Sequence, residues 1–570
     1  MAAPVSTALF DQFARGWRAY VLVGLVALAS GLFGIVRFPP MDIDESRFMQ
    51  ATRQMVETGD YVRIRLQDAE RNRKPVGIYW MQAASVHIAE PFTPRLNTAW
   101  PYRLPSVLGL VIGALAALWG GTALLGPRAA LIGALLYASG LLAGMEGMTA
   151  KTDAVMVGFT TLALAAAARL RVGVAKERLV ALVFWSALAC GALVKGPVPP
   201  AIVVLSLGAL ALWERRLAWM KPLAWWGGPA LALAIALPWM IAIGHATEGR
   251  FYAALLQNEL APKIAGGDHA HGGFPGYYTL LLPLLIFPAT YALPAAARLV
   301  WGAARRARND PSHAGLRFLA AWAGATFLAF ELLPTKLVHY TLPAYPAIAL
   351  MCGAGLMAMR GRPWRTTHPM GAVLLGVSGA LIVALFAFVS TFIPGDSGAD
   401  LRRIIGTALL GGALLIAALV GLSMFRRPAV RAAILVGCGL AFSFGLREQL
   451  VPQARGLFVS AETVAALTRA RLTPRANEAF WVVGYTQPSL VFLTQTSIRL
   501  VEPPEAAERA AAGETIVIEG RVLSEVQDRL AARGLAFTPA DQPVRGMALG
   551  RGEQTTLYFG KIEPSSERPD

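Results

Sequence analysis

The chain has 570 residues, 55% of them hydrophobic and only 15% charged, and its mean hydropathy of +0.50 excludes an ordinary soluble globular protein. The formal charge of +17 comes from Lys and Arg gathered in short loops between apolar runs, where it reports orientation and contact with anionic lipid headgroups, not nucleic acid. Cys190, Cys352 and Cys438 lie inside apolar runs without metal-ligand spacing and read as packing residues.

Taken in order, the sequence reads as a polytopic α-helical membrane protein over residues 1–446, followed by a soluble α/β domain over 447–570. The first apolar run, YVLVGLVALASGLFGIVRF, exceeds the roughly 7–15 residue core of a cleavable signal, and no small-residue cleavage site follows it. It is expected to remain as an anchor. Apolar runs of near-spanning length recur at about 19–38, 103–125, 128–146, 153–170, 179–195, 198–213, 224–244, 276–300, 315–334, 340–358, 370–393, 402–425 and 429–446, about thirteen spans.

With the N-terminus inside, Arg128, Arg169 and Arg171, Arg215 and Arg216, Arg305 to Arg308, Arg360 and Arg362, and Arg426 and Arg427 all fall in cytoplasmic loops. The outer face then carries loops 39–102, 147–152, 195–197, 245–275, 334–339 and 394–401, and the tail. This orientation requires that VGIYWMQAASVHIAE (76–90) not cross. It reads as an interfacial helix with Tyr79 and Trp80 at headgroup depth.

The first outer loop holds an unusual density of charge next to lipid, which asks for a use. DESRFMQATRQMV predicts a helix along the membrane surface, with Asp44 near its start. Phe48, Ala51, Thr52, Met55 and Val56 form one face; Arg47, Gln50, Arg53 and Glu57 form the other. Gly59-Asp60 ends it.

Asp44 and Glu45 follow the first span, and Asp153 opens the fourth in TAKTDAVMVG. Carboxylates at the outer ends of different spans can share a cavity and position or deprotonate a hydroxyl; helix capping is the competing account. Lys74 in NRKPVG, Lys195 in VKGP and Lys336 in PTKLVHYTLP stand where proline stops a helix at the same face, an arrangement suited to an anionic group. Lysines snorkelling to lipid phosphate would look alike one by one. The loop NELAPKIAGGDHAHGGFPGYY contributes Lys263 to the candidate cavity, and His269 and His271 beside Asp268 form an H-x-H pair suited to a divalent metal.

In the tail, FWVVGY, SIRLV, ETIVIEG, MALG and TTLYFG alternate with helical stretches such as SEVQDRLAARG, predicting a small α/β domain without a phosphate loop or nucleophile motif. Residues 560–570 read as lacking regular structure.

DESRF, ETGDY, KPVGIYW, TDAVM, KGP, Pro238-Trp239 and TKLVHYTLPAYP, in that order, resemble the bacterial aminoarabinose transferases of lipid A, relatives of the protein O-mannosyltransferases in the C-type glycosyltransferase superfamily. The resemblance covers about residues 15–360. It implies the C-type glycosyltransferase fold, a bacterial inner-membrane location, and transfer of a sugar from a polyprenyl phosphate to lipid A or another envelope acceptor on the periplasmic face. It further implies that Asp44 and Asp153 line the catalytic cavity and that Arg47, Lys74 and Tyr340 surround the lipid phosphate. Lys195 and Lys336 join the phosphate group by position, and Glu45, Tyr79 and Lys263 join the cavity. No cofactor is required, a divalent metal at His269 and His271 being the possible exception.

One departure bears on the donor. Those enzymes usually carry an acid before the Lys-Pro, whereas here Arg73 precedes it. An arginine would repel a cationic amino sugar and favour an acidic or neutral one. The competing functions are a protein O-mannosyltransferase, distinguished by a polypeptide acceptor, and a transporter or flippase of lipid-linked sugars. The latter would show inverted repeats and interrupted midplane helices. A third is an assembly subunit that recruits partners through its tail.

Overall fold

The computed structural model describes residues 10–42, 44–261, 273–308, 310–359, 367–394, 397–475 and 478–565. Among them, eight helices are long and apolar enough to cross a membrane, from Trp100–Leu125 to the helix that starts at Pro428. Two broken pairs, Pro127–Ala138 with Leu141–Met148 and Tyr277–Leu285 with Ala289–Arg305, bend by 57° and 112° and would raise the number to ten. Trp17–Leu32, Val198–Glu214 and Leu342–Ala358 are apolar helices of 10–17 residues. Each of the thirteen apolar runs therefore ends up in a helix, but eight to ten of those helices meet the length required for a crossing.

Small residues set the packing. A Cβ on Gly109 would lie 2.6 Å from the Ala154 and Val155 backbone, and one on Gly120 would lie 2.9 Å from Ala165 Cα. Trp100–Leu125 and Asp153–Val172 thus touch backbone to backbone, the close approach that small residues permit where lipid offers no hydrophobic drive. This contact fixes the outer end of the second helix, where Asp153 begins it.

The first outer loop forms the expected helix, Asp44–Thr58, which ends at Gly59 in the left-handed region (φ +71°). A two-residue hairpin follows, β1 (Arg65–Leu66) against β2 (Ala69–Glu70), and then the helix Gly77–Ala89, too short to span. Trp80 is 38% exposed, whereas Tyr79 is fully buried, its ring 5.5 Å from that of Phe48.

The tail folds as a mixed sheet with helices. Its strands are β3 (Phe480–Val483), β4 (Arg499–Val501), β5 (Thr515–Glu519), β6 (Leu535–Pro539), β7 (Val544–Ala548) and β8 (Glu553–Pro564). The order is β4-β3-β5-β8-β6, with β7 also on β8; β3 runs parallel to β4 and β5, and the pairs on β8 are antiparallel. Of residues 560–570, expected to lack regular structure, 560–564 complete β8 because Ile562 pairs with Phe537 and fills the core beside it, and 566–570 lie outside the described residues.

The sheet domain sits on the loop helix. Arg53 Nη1 donates to the carbonyls of Phe492 (2.9 Å) and Thr494 (3.2 Å), and Gln50 Nε2 donates to Thr496 Oγ1 (2.8 Å). Gln67 Nε2 donates to the carbonyls of Thr496 (3.1 Å) and Ile498 (2.7 Å). Gln50 and Arg53, on the polar face of the helix, thus meet the tail.

Candidate active site

Asp153 stands in the first turn of its helix and is 4% exposed. Its Oδ1 is 2.5 Å from Lys195 Nζ and 3.7 Å from His339 Nε2, and its Oδ2 is 3.9 Å from Lys151 Nζ. Lys151 also pairs with Glu146 at 2.9 Å, and His339 Nδ1 lies 4.0 Å from the same carboxylate. Two acids, two lysines and a histidine from three separate outer turns thus form one network.

Lys195 reaches this network because Gly196, at φ +61°, breaks the helix Glu177–Lys195 immediately after it. The same turn receives the Lys-Pro string: a Cβ on Gly77 would lie 2.8 Å from the Leu193 carbonyl, and one on Gly196 would lie 3.9 Å from Pro75. KPVG and VKGP are therefore packed together, which carries the half-buried Lys74 to the same side. Lys195 Nζ also lies 5.9 Å from the centroid of the Tyr340 ring, within cation–π range.

A second group of cations adjoins the first. Burial and then the neighbouring Arg71 pull the Arg47 guanidinium below its ordinary range; Asp44 opposes them and Arg73 reinforces them. Arg71 is held over the Phe48 ring (5.3 Å) and donates to the Tyr79 hydroxyl (3.3 Å). Three arginines against one exposed aspartate make a surface deficient in negative charge.

Lys151 joins the two groups. Burial would discharge its ammonium, but Glu146, Asp153 and Asp44 together hold it above the usual lysine range. Asp44 and the Asp153 network therefore share an electrostatic neighbourhood and the same membrane face.

The remaining candidates are distributed differently. Glu45, expected in the substrate cavity, is fully buried and bonded to Arg103 Nε (2.8 Å) and Nη2 (3.0 Å), to the Ala150 amide (3.0 Å) and to the Met41 amide (2.9 Å). Burial acts to raise its carboxyl, but Arg103 and the two amides outweigh it and hold it below the ordinary range. Arg103 also donates to the carbonyls of Ile35, Phe38 and Pro39, so this buried pair braces the loop.

Tyr79 likewise supports Arg71 from within the core. Lys336 is 6% exposed, with Nζ donating to the carbonyls of Glu331 (2.6 Å) and Leu333 (3.2 Å) and lying 5.4 Å from the Tyr278 ring. It is engaged away from Asp153. Lys263, His269 and His271 lie outside the described residues. Among the described residues no group of three His, Cys, Asp or Glu side chains is placed to hold a metal ion.

Sequence reasoning missed Glu146, Lys151 and His339. The signal was available: a glutamate inside LLAGMEGM, in an apolar run, requires a partner, and Lys151 follows within five residues.

A family model described as dolichyl-phosphate-mannose-protein mannosyltransferase matches residues 73–241. Among curated proteins, the chain is similar to undecaprenyl phosphate-alpha-4-amino-4-deoxy-L-arabinose arabinosyl transferases. It is 29% identical over 354 residues to that of Pectobacterium atrosepticum, with 60% of each chain covered. For Pseudomonas aeruginosa PAO1 the identity is 31% over 374 residues and the coverage 63% of each. The Edwardsiella ictaluri protein aligns over 461 residues, 77% of this chain and 79% of that one, at 26% identity. The matched regions thus span about three fifths of the length of the first two relatives. Among solved structures, ArnT from Cupriavidus metallidurans bound to undecaprenyl phosphate superposes with a TM-score of 0.74 over 98% of both chains at 17% identity. Its apo form superposes with a TM-score of 0.71, covering 95% of this chain and 97% of that one. The likeness establishes the fold.

Proposed function

We propose, from homology to the arabinosyl transferases and from this shared fold, that the chain is an inner-membrane glycosyltransferase. It moves a sugar from a polyprenyl phosphate, undecaprenyl phosphate in bacteria, to lipid A or another envelope acceptor at the outer face. The observation that carries this reading is Lys195, held between the Asp153 carboxylate and the Tyr340 ring in a turn packed against Lys74-Pro75.

The chemistry is a single in-line displacement with inversion. An acceptor oxygen forms a bond to the anomeric carbon as the bond from that carbon to the phosphate oxygen breaks, and the electron pair leaves with the polyprenyl phosphate. Arg47, Lys74 and Lys195 meet the charge developing on the departing phosphate. Asp153 holds Lys195 in place, with Lys151, Glu146 and His339 fixing Asp153 in turn. Asp44, the exposed acid, takes the proton of a hydroxyl acceptor or orients an acceptor that is already ionised.

The donor is the finer question. Arg73 and Arg71 crowd Arg47, which supports an acidic or neutral sugar over a cationic amino sugar. The test is turnover by purified protein, without a membrane gradient, of undecaprenyl phosphates bearing aminoarabinose, a uronic acid or a hexose, with the product's anomeric configuration assigned. Turnover of the aminoarabinose donor as fast as any other would refute the donor preference alone. Failure to consume any lipid-linked sugar would refute the enzyme and favour a transporter. A polypeptide acceptor would support the mannosyltransferase reading, to which the match over 73–241 lends weight.

A further inference from the structure

At the opposite, arginine-rich end of the helices lies a cavity of about 360 Å³ that the transfer reaction does not use. Asp153 and Arg171 sit near the two ends of one helix, about 27 Å apart at a rise of about 1.5 Å per residue. The cavity is therefore remote from the outer site. Its walls carry Arg171, Arg216, Arg308 and Arg317 against the single acid Glu214, an excess of three positive charges (four minus one).

Two buried donors on those walls have no partner. Arg317 is 1% exposed; its Nε donates to Glu214 Oε1 (2.7 Å) and its Nη2 to the Asp310 carbonyl (2.7 Å), but Nη1 has no acceptor. Trp219 also lines the cavity, and its buried indole Nε1 has no acceptor either. Glu214 bonds instead to Arg171 at 2.6 Å and to Arg317 Nε at 2.7 Å. The neighbouring Asp310 carboxylate is occupied by Ser312 and His313.

A buried donor left unmade costs about 1–3 kcal/mol. Two of them on residues that line one void with surplus cations call for an acceptor that carries negative charge. We propose that this cavity is a phosphate-binding site at the cytoplasmic membrane surface, independent of the outer reaction, with Arg317 Nη1 and Trp219 Nε1 donating to the phosphate oxygens and Arg216 and Arg308 closing over it. Planar guanidinium groups suit tetrahedral oxyanions of this kind. Its place at headgroup level, with Leu124 and Val172 on the wall, suits the phosphodiester of an anionic phospholipid; a free phosphate carries the same chemistry.

The full-length protein is examined by native mass spectrometry with phosphatidylglycerol and, separately, by thermal unfolding in sodium phosphate against sodium chloride at matched ionic strength. R216Q/R308Q and W219F test the site; R305Q/R306Q removes as many exposed charges outside it. Lipid occupancy at least fivefold lower in the site variants than in R305Q/R306Q supports a headgroup. Stabilisation by inorganic phosphate that the site variants lose, with no lipid difference, supports the free ion. Site variants that bind both probes as the parent does, or an equal loss in R305Q/R306Q, overturn the proposal. W219F keeps every charge and an aromatic ring while removing the indole N–H, so it decides the matter even if the double variant fails to fold.

Discussion

Lys195 Nζ stands 2.5 Å from Asp153 Oδ1, so the last residue of one helix and the first of another, separated in sequence by two near-spanning segments, share an ion pair at the outer face. The pair explains how a lysine at the membrane edge is held in one place without a ligand. It also divides the two aspartates by role: Asp153 is sealed in ion pairs, and Asp44 is exposed.

That division gives the first prediction. D44N leaves the ion pairs of the network intact and removes an exposed carboxylate, so with a hydroxyl acceptor kcat should fall by about 100-fold or more while the unfolding temperature in detergent stays that of the parent. With an acceptor that is already ionised the fall should be below about tenfold. Initial rates with each acceptor class, followed by mass spectrometry of the product, separate the two; unchanged rates with both would remove Asp44 from the reaction.

D153N should behave differently because it strips Lys195 of its carboxylate partner, while Lys151 keeps Glu146. Breaking a buried pair costs about 3–5 kcal/mol, so the protein should lose both thermal stability and activity. Adding K195M to D153N removes the stranded charge and should restore part of the stability but none of the rate. Equal unfolding temperatures for D153N and the double variant would show that Lys195 does not depend on Asp153 for its compensation.

Much of this was legible in the sequence, and the gaps have physical causes. Asp153 announced itself by opening an apolar run, and Lys195 and Lys74 by standing at proline or glycine breaks beside lipid, where a charge needs a reason. Glu45 did so equally, yet the same cost that argues for a substrate also argues for a buried partner, and only the fold shows Arg103 there. The bends of 57° and 112° were hidden because apolar composition measures length in lipid and is silent about a break within a run. The partner of the polar face of Asp44–Thr58 could not be read because acceptors of a distant segment and bulk solvent satisfy Arg53 and Gln50 alike. The tail's strands were readable from alternation, but nothing in them pointed to the loop they cover.

The covered loop supplies the third prediction. Arg53 makes charge-assisted bonds to two carbonyls of the tail, each worth about 1.5–3 kcal/mol. R53A should loosen the docking and expose the loop, so trypsin should cut between residues 63 and 74 at least several times faster than in the parent, and KM for the donor should rise more than kcat falls. Unchanged cleavage there would mean that the tail rests on the loop without supporting it.

Glu45 gives a pH dependence with a definite sign. Its folded-state carboxyl is held below its unfolded value of about 4.3, so the stabilisation is fully present above that value and is lost as pH falls through the lower folded value. Thermal unfolding should therefore show no contribution from Glu45 to a change between pH 7 and 5, and a decline below about 4. E45Q should lower stability by roughly 3–5 kcal/mol at neutral pH and flatten the acid limb; an acid limb identical to the parent's would assign that decline to other carboxylates.

The donor preference turns on one side chain. Arg73 is exposed and lies close enough to Arg47 for each to feel the other, so its charge reaches whatever binds beside the lipid phosphate while contributing little to the core. Replacing it by glutamate reverses that charge without touching the Lys74-Pro75 turn or the Asp153 network. The parent should prefer the uronic acid or neutral donor to the aminoarabinose donor, and R73E should move the ratio of kcat/KM values by roughly tenfold toward the cationic sugar. Because the interaction is between exposed charges, the shift should shrink as salt is raised from 0.05 to 0.5 M. A neutral R73Q should fall between the two. If all three proteins rank the donors alike at low salt, the charge at this position does not read the sugar, and discrimination must come from contacts to the ring.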